Sequence, residues 1–280
     1  MTDLTGKVAV ITGAASGIGY GSVEVFVEAG AQVVAADISE TGAELEDRFG
    51  PDKVRFIKCD VTSKSDLDAT MKLCADSFGG IDAVFNNAGA AGSVNGVEDF
   101  DPDGFDRTVN LLLKSVIQGT QAALPYFKER GGGSVINTSS TSARSAGHAT
   151  MTYSLCKAAV AHFSKIAAAE LAQYHVRVNA VLPGLIATRI FGGVIGQDRD
   201  QAAQTAELIA QVGGAGVPVG RAGEGRDIGN VAAFLASDAS AFVNGTEILA
   251  DGGSLIGPSR SWNPEEGGGL AALLGAQSTT

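Results

Sequence analysis

Residues 8–19 read VAVITGAASGIG and join a short apolar run to a glycine-rich turn. A continuous apolar run of this length is typical of a strand that is buried on both faces of a parallel sheet. Apolar side chains at helical spacing follow the turn as far as Gly30, and glycine commonly ends helices. The stretch therefore predicts a strand, a tight turn and a helix over residues 17–29, the opening unit of an α/β fold.

The same alternation continues along the chain. Further strand-like segments lie at 33–37, 54–57, 81–85, 134–137, 176–181 and 247–250. Segments long enough for helices separate most of them, including 103–128 and 152–174. Because strands that alternate with helices form right-handed βαβ units, we predict a single Rossmann-like, doubly wound, mostly parallel seven-stranded sheet with helices on both faces.

Two regions interrupt this pattern. Residues 185–225 place many glycines among apolar side chains, and long irregular segments inside a domain are usually functional. We therefore predict a single domain over residues 1–257 that includes an irregular lid at about 185–225. Residues 258–280 are predicted to be a C-terminal extension, and Trp262 and residues 270–274 are hypothesised to fold over a pocket.

Composition excludes several classes of protein. The chain has 280 residues, 45% hydrophobic and 18% charged, which excludes a disordered chain, and no apolar run is long enough to span a membrane. Its net charge of −11 would repel a nucleic-acid backbone. The N-terminus lacks the pattern of a secretory signal, and three unpatterned cysteines fit a reducing compartment, so we expect a cytoplasmic protein. Three scattered histidines have no metal-ligand spacing, so we expect no metal site.

The turn predicts a binding site for a dinucleotide. Glycines allow the backbone to approach a pyrophosphate closely, and the first turn of the following helix presents free N–H groups to it. The spacing is G-x-x-x-G-x-G rather than the usual G-x-G-x-x-G, and a plain strand–helix turn would also fit this stretch alone. We assign cofactor contacts to the turn residues Gly13, Ser16, Gly17, Ile18 and Gly19.

Asp37 ends the second predicted strand, eighteen residues after Gly19. A carboxylate here can accept hydrogen bonds from the adenosine ribose hydroxyls and would repel a 2′-phosphate. Ala14, Ala15 and Ile38 offer no cation to bind such a phosphate. NAD is therefore predicted over NADP, and a solvated acid at a strand end is the plainer alternative for Asp37.

Three further motifs occur at fixed places along the predicted sheet. Asn86-Asn87-Ala88-Gly89 follows the fourth strand, and Pro183-Gly184 closes the sixth. Tyr153-Ser154-Leu155-Cys156-Lys157 opens a helix thirteen residues after Ser140. Together with the turn, this ordered set resembles the short-chain dehydrogenase/reductase family. The resemblance covers residues from about 4 to 257 and implies a nicotinamide-dependent oxidoreductase.

Tyr153 and Lys157 lie four residues apart, so on a helix they project from the same face. A free phenol has a pKa of about 10, and we expect the neighbouring ammonium and the positive nicotinamide ring to lower the pKa of Tyr153. Tyr153 would then accept a proton from an alcohol or donate one to a carbonyl.

The resemblance implies further catalytic roles. Ser140 matches the family's serine that hydrogen-bonds the substrate oxygen, and Lys157 matches the lysine that also bonds the nicotinamide ribose. Asn110 matches the asparagine that helps to order a proton-relay water. Ser139 is the neighbouring alternative to Ser140, and a buried amide at a helix bend is the alternative for Asn110. His148 lies where the family's substrate-facing loop would be.

The same resemblance implies additional contacts to the cofactor. Asp60 matches the acid that meets the adenine amine, and Val61 matches the residue whose backbone flanks the adenine ring. Other positions match a stretch along the adenosine ribose and a stretch at the nicotinamide carboxamide. In this sequence these positions are Asn87, Ala88, Gly89, Pro183, Gly184, Ile186 and Thr188.

The predicted lid indicates the class of substrate. Its apolar side chains are Leu185, Ile190, Phe191, Val194 and Ile195. An apolar, flexible cover suits a hydrophobic secondary alcohol or ketone, so we predict an NAD-dependent oxidoreductase that interconverts the two. One alternative is a reductase of 3-oxoacyl groups on acyl carrier protein, which the acidic net charge disfavours. Another is a redox sensor that binds NAD without turnover.

We expect a small hydrophobic alcohol or ketone as the partner, and neither nucleic acid nor membrane. Members of the family are commonly tetramers that pack the helix with the Tyr-Lys motif against a neighbouring subunit. Small residues, which allow close helix contact, recur along that helix at Ala158, Ala159, Ala161, Ala167, Ala168 and Ala169. We therefore predict a homotetramer, with a dimer as the alternative.

Overall fold

Seven parallel strands form one sheet. The structure is a computed structural model that describes residues 2–257 and 261–262. Its strands are β1 (Val8–Thr12), β2 (Gln32–Asp37), β3 (Val54–Lys58), β4 (Ala83–Asn86), β5 (Gly133–Thr138), β6 (Val176–Pro183) and β7 (Glu247–Ala250). They lie in the order β3-β2-β1-β4-β5-β6-β7, and every pair is parallel. The predicted Rossmann-like fold is confirmed.

The strand order reverses beside β1, since the chain builds outward to β3 and then returns to place β4 on the other side of β1. In open parallel sheets, ligands bind at the carboxyl ends of the strands beside such a reversal. All of β1 and the middle of β2 are buried. Burial on both faces explains why these strands are continuous apolar runs rather than alternating ones.

Helices cover both faces of the sheet. They are α1 (Gly17–Glu28), α2 (Ala43–Phe49), α3 (Lys64–Phe78), α4 (Pro102–Val109), α5 (Ser115–Arg130), α6 (Met151–Leu171), α7 (Ile190–Val194), α8 (Arg199–Val212) and α9 (Gly225–Ala236). Apolar side chains of α1, α2 and α9 form the core on one face, and those of α3, α5 and α6 form it on the other.

A wide turn interrupts the helix predicted over residues 103–128. Asn110–Lys114 form a single π-helical turn between α4 and α5, in which the Ser115 amide donates a hydrogen bond to the Asn110 carbonyl. Turns of this kind often occur at functional sites. The prediction of one long helix is right in its extent and misses the turn in its middle.

The segment predicted to be an irregular lid contains α7 and α8, so that expectation is wrong for residues 190–194 and 199–212. The Asp198 carboxylate accepts hydrogen bonds from the amides of Asp200 and Gln201, and the Gln201 side chain accepts one from the Asp198 amide. This reciprocal capping box is a sequence signal for a helix start. The abundance of glycine around it obscured that signal.

Helices α1 and α9 pack with their backbones in contact. A Cβ atom on Gly225 would lie 2.2 Å from the carbonyl oxygen of Gly17, and one on Gly21 would lie 2.6 Å from the amide nitrogen of Arg226. No side chain fits between the two helices at these points. Helix α9 therefore supports the start of α1, where the glycine-rich turn ends.

Helix α6 turns only part of its alanine-rich surface outward. Ala167 and Ala168 are buried in the protein's own core, so the expectation that they face a neighbouring subunit is wrong for these two. The outward side exposes Leu155 and Ile166 instead. Which side of a helix meets the sheet depends on its packing, and the spacing of small residues alone does not determine it.

Candidate active site

A cleft of about 950 Å³ opens beside the carboxyl ends of β1, β4, β5 and β6. Its position beside the reversal in strand order is the one expected for a ligand site in this kind of sheet. The predicted site residues on its wall are Gly13, Ser16, Gly17, Ile18, Asp37, Asn87, Ala88, Gly89, Ser140, Tyr153, Lys157, Pro183, Gly184, Ile186 and Thr188. The fold thus brings together most of the residues that the sequence separates widely.

The glycine-rich turn needs glycine at two points for different reasons. Gly13 has a φ of +68°, a conformation that side chains rarely adopt. A Cβ atom on Gly19 would lie 2.0 Å from the carbonyl oxygen of Gly13, so the start of α1 folds directly onto the end of β1. Residues 16–18 line the cleft, which places the free N–H groups of a helix start at its wall.

A hydrogen-bonded cluster not predicted from the sequence joins the turn to the neighbouring strand ends. The Thr12 hydroxyl accepts bonds from the amides of Asn87 at 3.0 Å and Ala88 at 3.1 Å. The Asn87 side chain donates to the Thr12 carbonyl at 3.0 Å and accepts from the Thr138 hydroxyl at 3.2 Å. Thr12 and Thr138 each end an apolar strand, and that position is the signal by which they could have been found.

The Asp37 carboxylate is fixed in place at the end of β2. Its Oδ2 atom accepts a hydrogen bond from the Ala15 amide at 2.9 Å, and its Oδ1 atom accepts one from the Ser39 amide at 2.8 Å. These bonds tie the carboxylate to the glycine-rich turn while it lines the cleft. An anchored acceptor therefore stands next to the helix start.

Tyr153, Ser140 and Lys157 come together on another part of the wall. The Lys157 Nζ atom lies 5.4 Å from the centroid of the Tyr153 ring and donates a hydrogen bond to the Thr138 carbonyl at 2.8 Å. Ser140, which follows β5, lies beside the Tyr153 phenol and acts to lower its pKa. Ser139 instead donates its hydroxyl to the Lys157 carbonyl at 2.7 Å. Of the two serines, Ser140 is the one that reaches the phenol.

Burial sets the protonation of the tyrosine and the lysine. It raises the pKa of Tyr153 to about 12, although the neighbouring Ser140 side chain acts in the lowering direction. It lowers the pKa of Lys157 to about 8. Lys157 and the nicotinamide ring were together expected to lower the pKa of the phenol, whereas in the protein alone the pKa is raised, and loss of hydration on burial is the largest cause.

The buried lysine makes protein stability depend on pH. Lys157 has a pKa of about 8 in the folded protein against an ordinary value of 10.5. Between these values the unfolded chain binds more protons, so the free energy of unfolding rises with pH by up to about 1.4 kcal/mol per unit. We expect the melting temperature of the wild type, minus that of Lys157→Met, to increase from about pH 8 upward. Other titrating groups are common to both proteins and cancel, so a constant difference would contradict the shift.

Four predicted site residues do not line the cleft. The Asp60 carboxylate accepts hydrogen bonds from the amide and hydroxyl of Thr62, and Val61 is buried. Asn110 begins the π-helical turn, which packs against α6. Gly19 lies behind the wall in the first turn of α1. Gly19 therefore supports the wall from behind, and the other three residues lie outside the lining of the cleft.

Two loops complete the wall. The loop between β5 and α6 contributes residues that the sequence did not single out, namely Thr141, Gly147, Ala149 and Thr150. His148 lies among them, where the resemblance placed it. Small and polar residues carry little signal in a loop, and only their place after Ser140 could have indicated them. The lid contributes all five of its predicted apolar residues, Leu185, Ile190, Phe191, Val194 and Ile195.

Within residues 2–257 and 261–262, no group of three His, Cys, Asp or Glu side chains could hold a metal ion. No helix of these residues is long and apolar enough to cross a membrane. The three cysteines are free and buried. Residues 270–274, hypothesised to fold over a pocket, lie outside the described residues.

Known proteins resemble this chain across most of its length. The family model described as enoyl-(acyl carrier protein) reductase matches residues 13–254. The 3beta-hydroxysteroid dehydrogenase 2 of Eggerthella lenta is 38% identical over 254 residues, which cover 89% of this chain and 95% of that protein. Momilactone A synthase of Oryza sativa subsp. japonica is 37% identical over 252 residues, covering 89% and 90%. The crystal structure of levodione reductase matches with a TM-score of 0.80 and 32% identity, covering 91% of this chain and 100% of that one.

Proposed function

The chain belongs to the short-chain dehydrogenase/reductase family, and on that basis we propose that it is an NAD-dependent oxidoreductase that interconverts a hydrophobic secondary alcohol and its ketone. The composition of the cleft wall carries this proposal. Tyr153, Ser140 and Lys157 share one wall with the apolar side chains of the lid. Asp37 and the glycine-rich turn line the same cleft.

The residues of the turn fit a dinucleotide. Residues 16–18 present a helix start to the cleft, which suits a pyrophosphate. Asp37 is held by two backbone amides and retains free lone pairs for ribose hydroxyls. Its negative charge opposes the additional phosphate of NADP. The groups on the wall therefore favour NAD.

When bound, NAD⁺ supplies the acceptor for the hydride that leaves the alcohol carbon. The protein handles the proton and the oxygen. The Ser140 hydroxyl donates a hydrogen bond to the substrate oxygen and stabilises the charge that develops there. The Tyr153 phenol, which Ser140 reaches, accepts the alcohol proton or returns it to the ketone. The Lys157 ammonium lies 5.4 Å from the centroid of the Tyr153 ring. Its positive charge favours the phenolate and so opposes the rise in pKa that burial causes.

Two observations support the hydrophobic substrate class. The five apolar lid residues face the same cleft as Tyr153, so a substrate that reaches the phenol buries its apolar surface against them. A relative that is 38% identical bears the name of a hydroxysteroid dehydrogenase. Both point to a cyclic or polycyclic alcohol.

A panel of alcohols tests this proposal. Because each buried CH₂ group contributes about 0.8 kcal/mol, we expect kcat/KM with NAD⁺ to be at least about tenfold higher for hydroxysteroids and cyclic secondary alcohols than for polyols. NADH absorbance gives the rates, and NADP⁺ replaces NAD⁺ as the control. Faster turnover of polyols would refute the substrate class, and equal rates with NADP⁺ would refute the cofactor preference.

The printed description of the matching family model names acyl carrier protein, which keeps the acyl reductase alternative open. The net charge of −11 argues against it, since an acidic carrier would be repelled. That alternative predicts higher kcat/KM with NADPH and a 3-oxoacyl carrier protein than with NAD⁺ and any alcohol. The same assay therefore separates the two functions.

For its assembly and location, we propose a cytoplasmic homotetramer, with a dimer as the alternative. The exposed apolar side chains of Leu155 and Ile166 on α6, and of Ile117 on α5, support a contact between subunits through these helices. Three free, buried cysteines suit a reducing compartment.

A further inference from the structure

Arg189 is a half-buried arginine on the wall of the cleft. No side chain or carbonyl of the described residues forms a hydrogen bond or ion pair with its guanidinium. The other arginines of residues 2–257 each have a carboxylate, hydroxyl or carbonyl partner, and they are Arg48, Arg55, Arg107, Arg130, Arg144, Arg177, Arg199, Arg221 and Arg226. Arg189 is therefore the exception among them.

Among the residues that the structure describes, no acid on the wall pairs with Arg189. Asp37 is the acid among the residues that line the cleft, and its two oxygens accept hydrogen bonds from the amides of Ala15 and Ser39 rather than from Arg189. The other wall cation, Lys157, has its own carbonyl partner. Partial burial of a guanidinium without a partner costs free energy. A planar guanidinium fork suits carboxylate or phosphate oxygens, which it binds through two parallel hydrogen bonds.

The position of Arg189 lies between the two functional parts of the cleft. Its neighbour Thr188 contacts the start of α1, since a Cβ atom on Gly17 would lie 2.9 Å from the Thr188 Cγ2 atom. On its other side, Ile190 and Phe191 begin the apolar wall of the lid. An anion held by Arg189 would therefore lie between the start of α1, where a pyrophosphate is expected, and the apolar wall, where the substrate is expected.

We propose that Arg189 binds an anionic oxygen group, phosphate or carboxylate, inside the cleft. Two molecules could bring this chemistry, the dinucleotide through its pyrophosphate and the alcohol substrate through an acidic group of its own. Arg189 is a binding residue that fixes the position of its ligand and takes no part in proton transfer. The identity of the ligand rests on the proposed function, whereas the unpaired guanidinium on the wall does not.

Binding of NADH, measured without turnover, tests the first source. Fluorescence titration compares the wild type with Arg189→Ala and Arg189→Lys, and Arg107→Ala removes the same charge at an exposed site away from the cleft. If the pyrophosphate is the ligand, we expect Arg189→Ala to raise the Kd of NADH about 10- to 100-fold. Arg189→Lys keeps the charge without the fork and should give a smaller rise. Arg107→Ala should leave the Kd unchanged.

A matched pair of alcohols, cyclohexanol and 4-hydroxycyclohexanecarboxylate, tests the second source. If the substrate carries the anion, the wild type prefers the carboxylate by about tenfold or more, and Arg189→Ala loses this preference while its Kd for NADH is unchanged. The preference is read as kcat/KM and also as the shift in melting temperature that each alcohol causes in the presence of NADH. Failure of turnover would refute the proposed function and leave the binding readouts intact. The inference is overturned if Arg189→Ala folds and alters neither the Kd of NADH nor the preference between the alcohols.

Discussion

Replacement of Tyr153 by phenylalanine is expected to lower kcat/KM by about 10²- to 10⁴-fold, the range for loss of a positioned general acid–base group. Phenylalanine keeps the aromatic ring, which lies 5.4 Å from the Lys157 Nζ atom. It removes only the phenol hydroxyl, which lies beside Ser140. The glycine-rich turn and Asp37 stay as they are, so we expect the Kd of NADH to change by less than about threefold.

Steady-state rates with the best alcohol of the panel and fluorescence titration with NADH give the two quantities. Tyr174→Phe is the matched control, because it removes a phenol hydroxyl outside the cleft, where the ring contacts Lys128. A Tyr153→Phe protein that keeps more than about a tenth of the wild-type kcat/KM would remove the acid–base role. Loss of NADH binding in this variant would show instead that the hydroxyl maintains the shape of the cleft.

Gly225→Ala is expected to lower both the stability of the protein and its affinity for NADH, although alanine has a higher helix propensity than glycine. In a helix, alanine is normally favoured over glycine by about 1 kcal/mol. At Gly225 the added Cβ atom would lie 2.2 Å from the carbonyl oxygen of Gly17 and 2.8 Å from its carbonyl carbon. Backbone atoms cannot rotate away as a side chain can, so α1 and α9 must separate.

Overpacking of a well-packed contact costs 1–3 kcal/mol or more, and a backbone contact belongs at the upper end. We therefore expect a loss of about 3 kcal/mol in the free energy of unfolding and a fall of roughly 6 °C or more in melting temperature. The Kd of NADH should rise at least about tenfold, because the displaced carbonyl belongs to the start of α1. Gly216→Ala is the matched control, since a Cβ atom there meets nothing within 4 Å. A Gly225→Ala protein with wild-type melting temperature and NADH affinity would contradict this account of the packing.

The sheet and the turn could be predicted because their signals are local. Residues 8–19 hold an apolar run and glycines whose conformational freedom the turn requires. Tyr153 and Lys157 were placed on one face by their spacing alone, and the structure has them on one helix. Thr12, which holds the turn to Asn87, was missed because a hydroxyl at a strand end shows its role only when its partners are known.

The remaining features depend on contacts between distant parts of the chain. No residue type marks the π-helical turn at Asn110, and the raised pKa of Tyr153 follows from burial, which the sequence does not reveal. Ala167 belongs to the core because of the side that α6 turns to the sheet. Arg189 is indistinguishable in the sequence from any surface arginine, and only its neighbours show that it lacks a partner.

The backbone contact between α1 and α9 has a consequence for synthesis of the protein. Helix α1 ends at Glu28, whereas α9 begins only at Gly225. The ribosome synthesises the N-terminal part of the chain first. The glycine-rich turn therefore leaves the ribosome long before α9, which supports the turn, has been made. A nascent chain that stops short of Gly225 already contains Tyr153 and Lys157 and still lacks that support. The cofactor site is therefore completed only after α9 has been synthesised, and contacts between distant parts of the chain outnumber local ones.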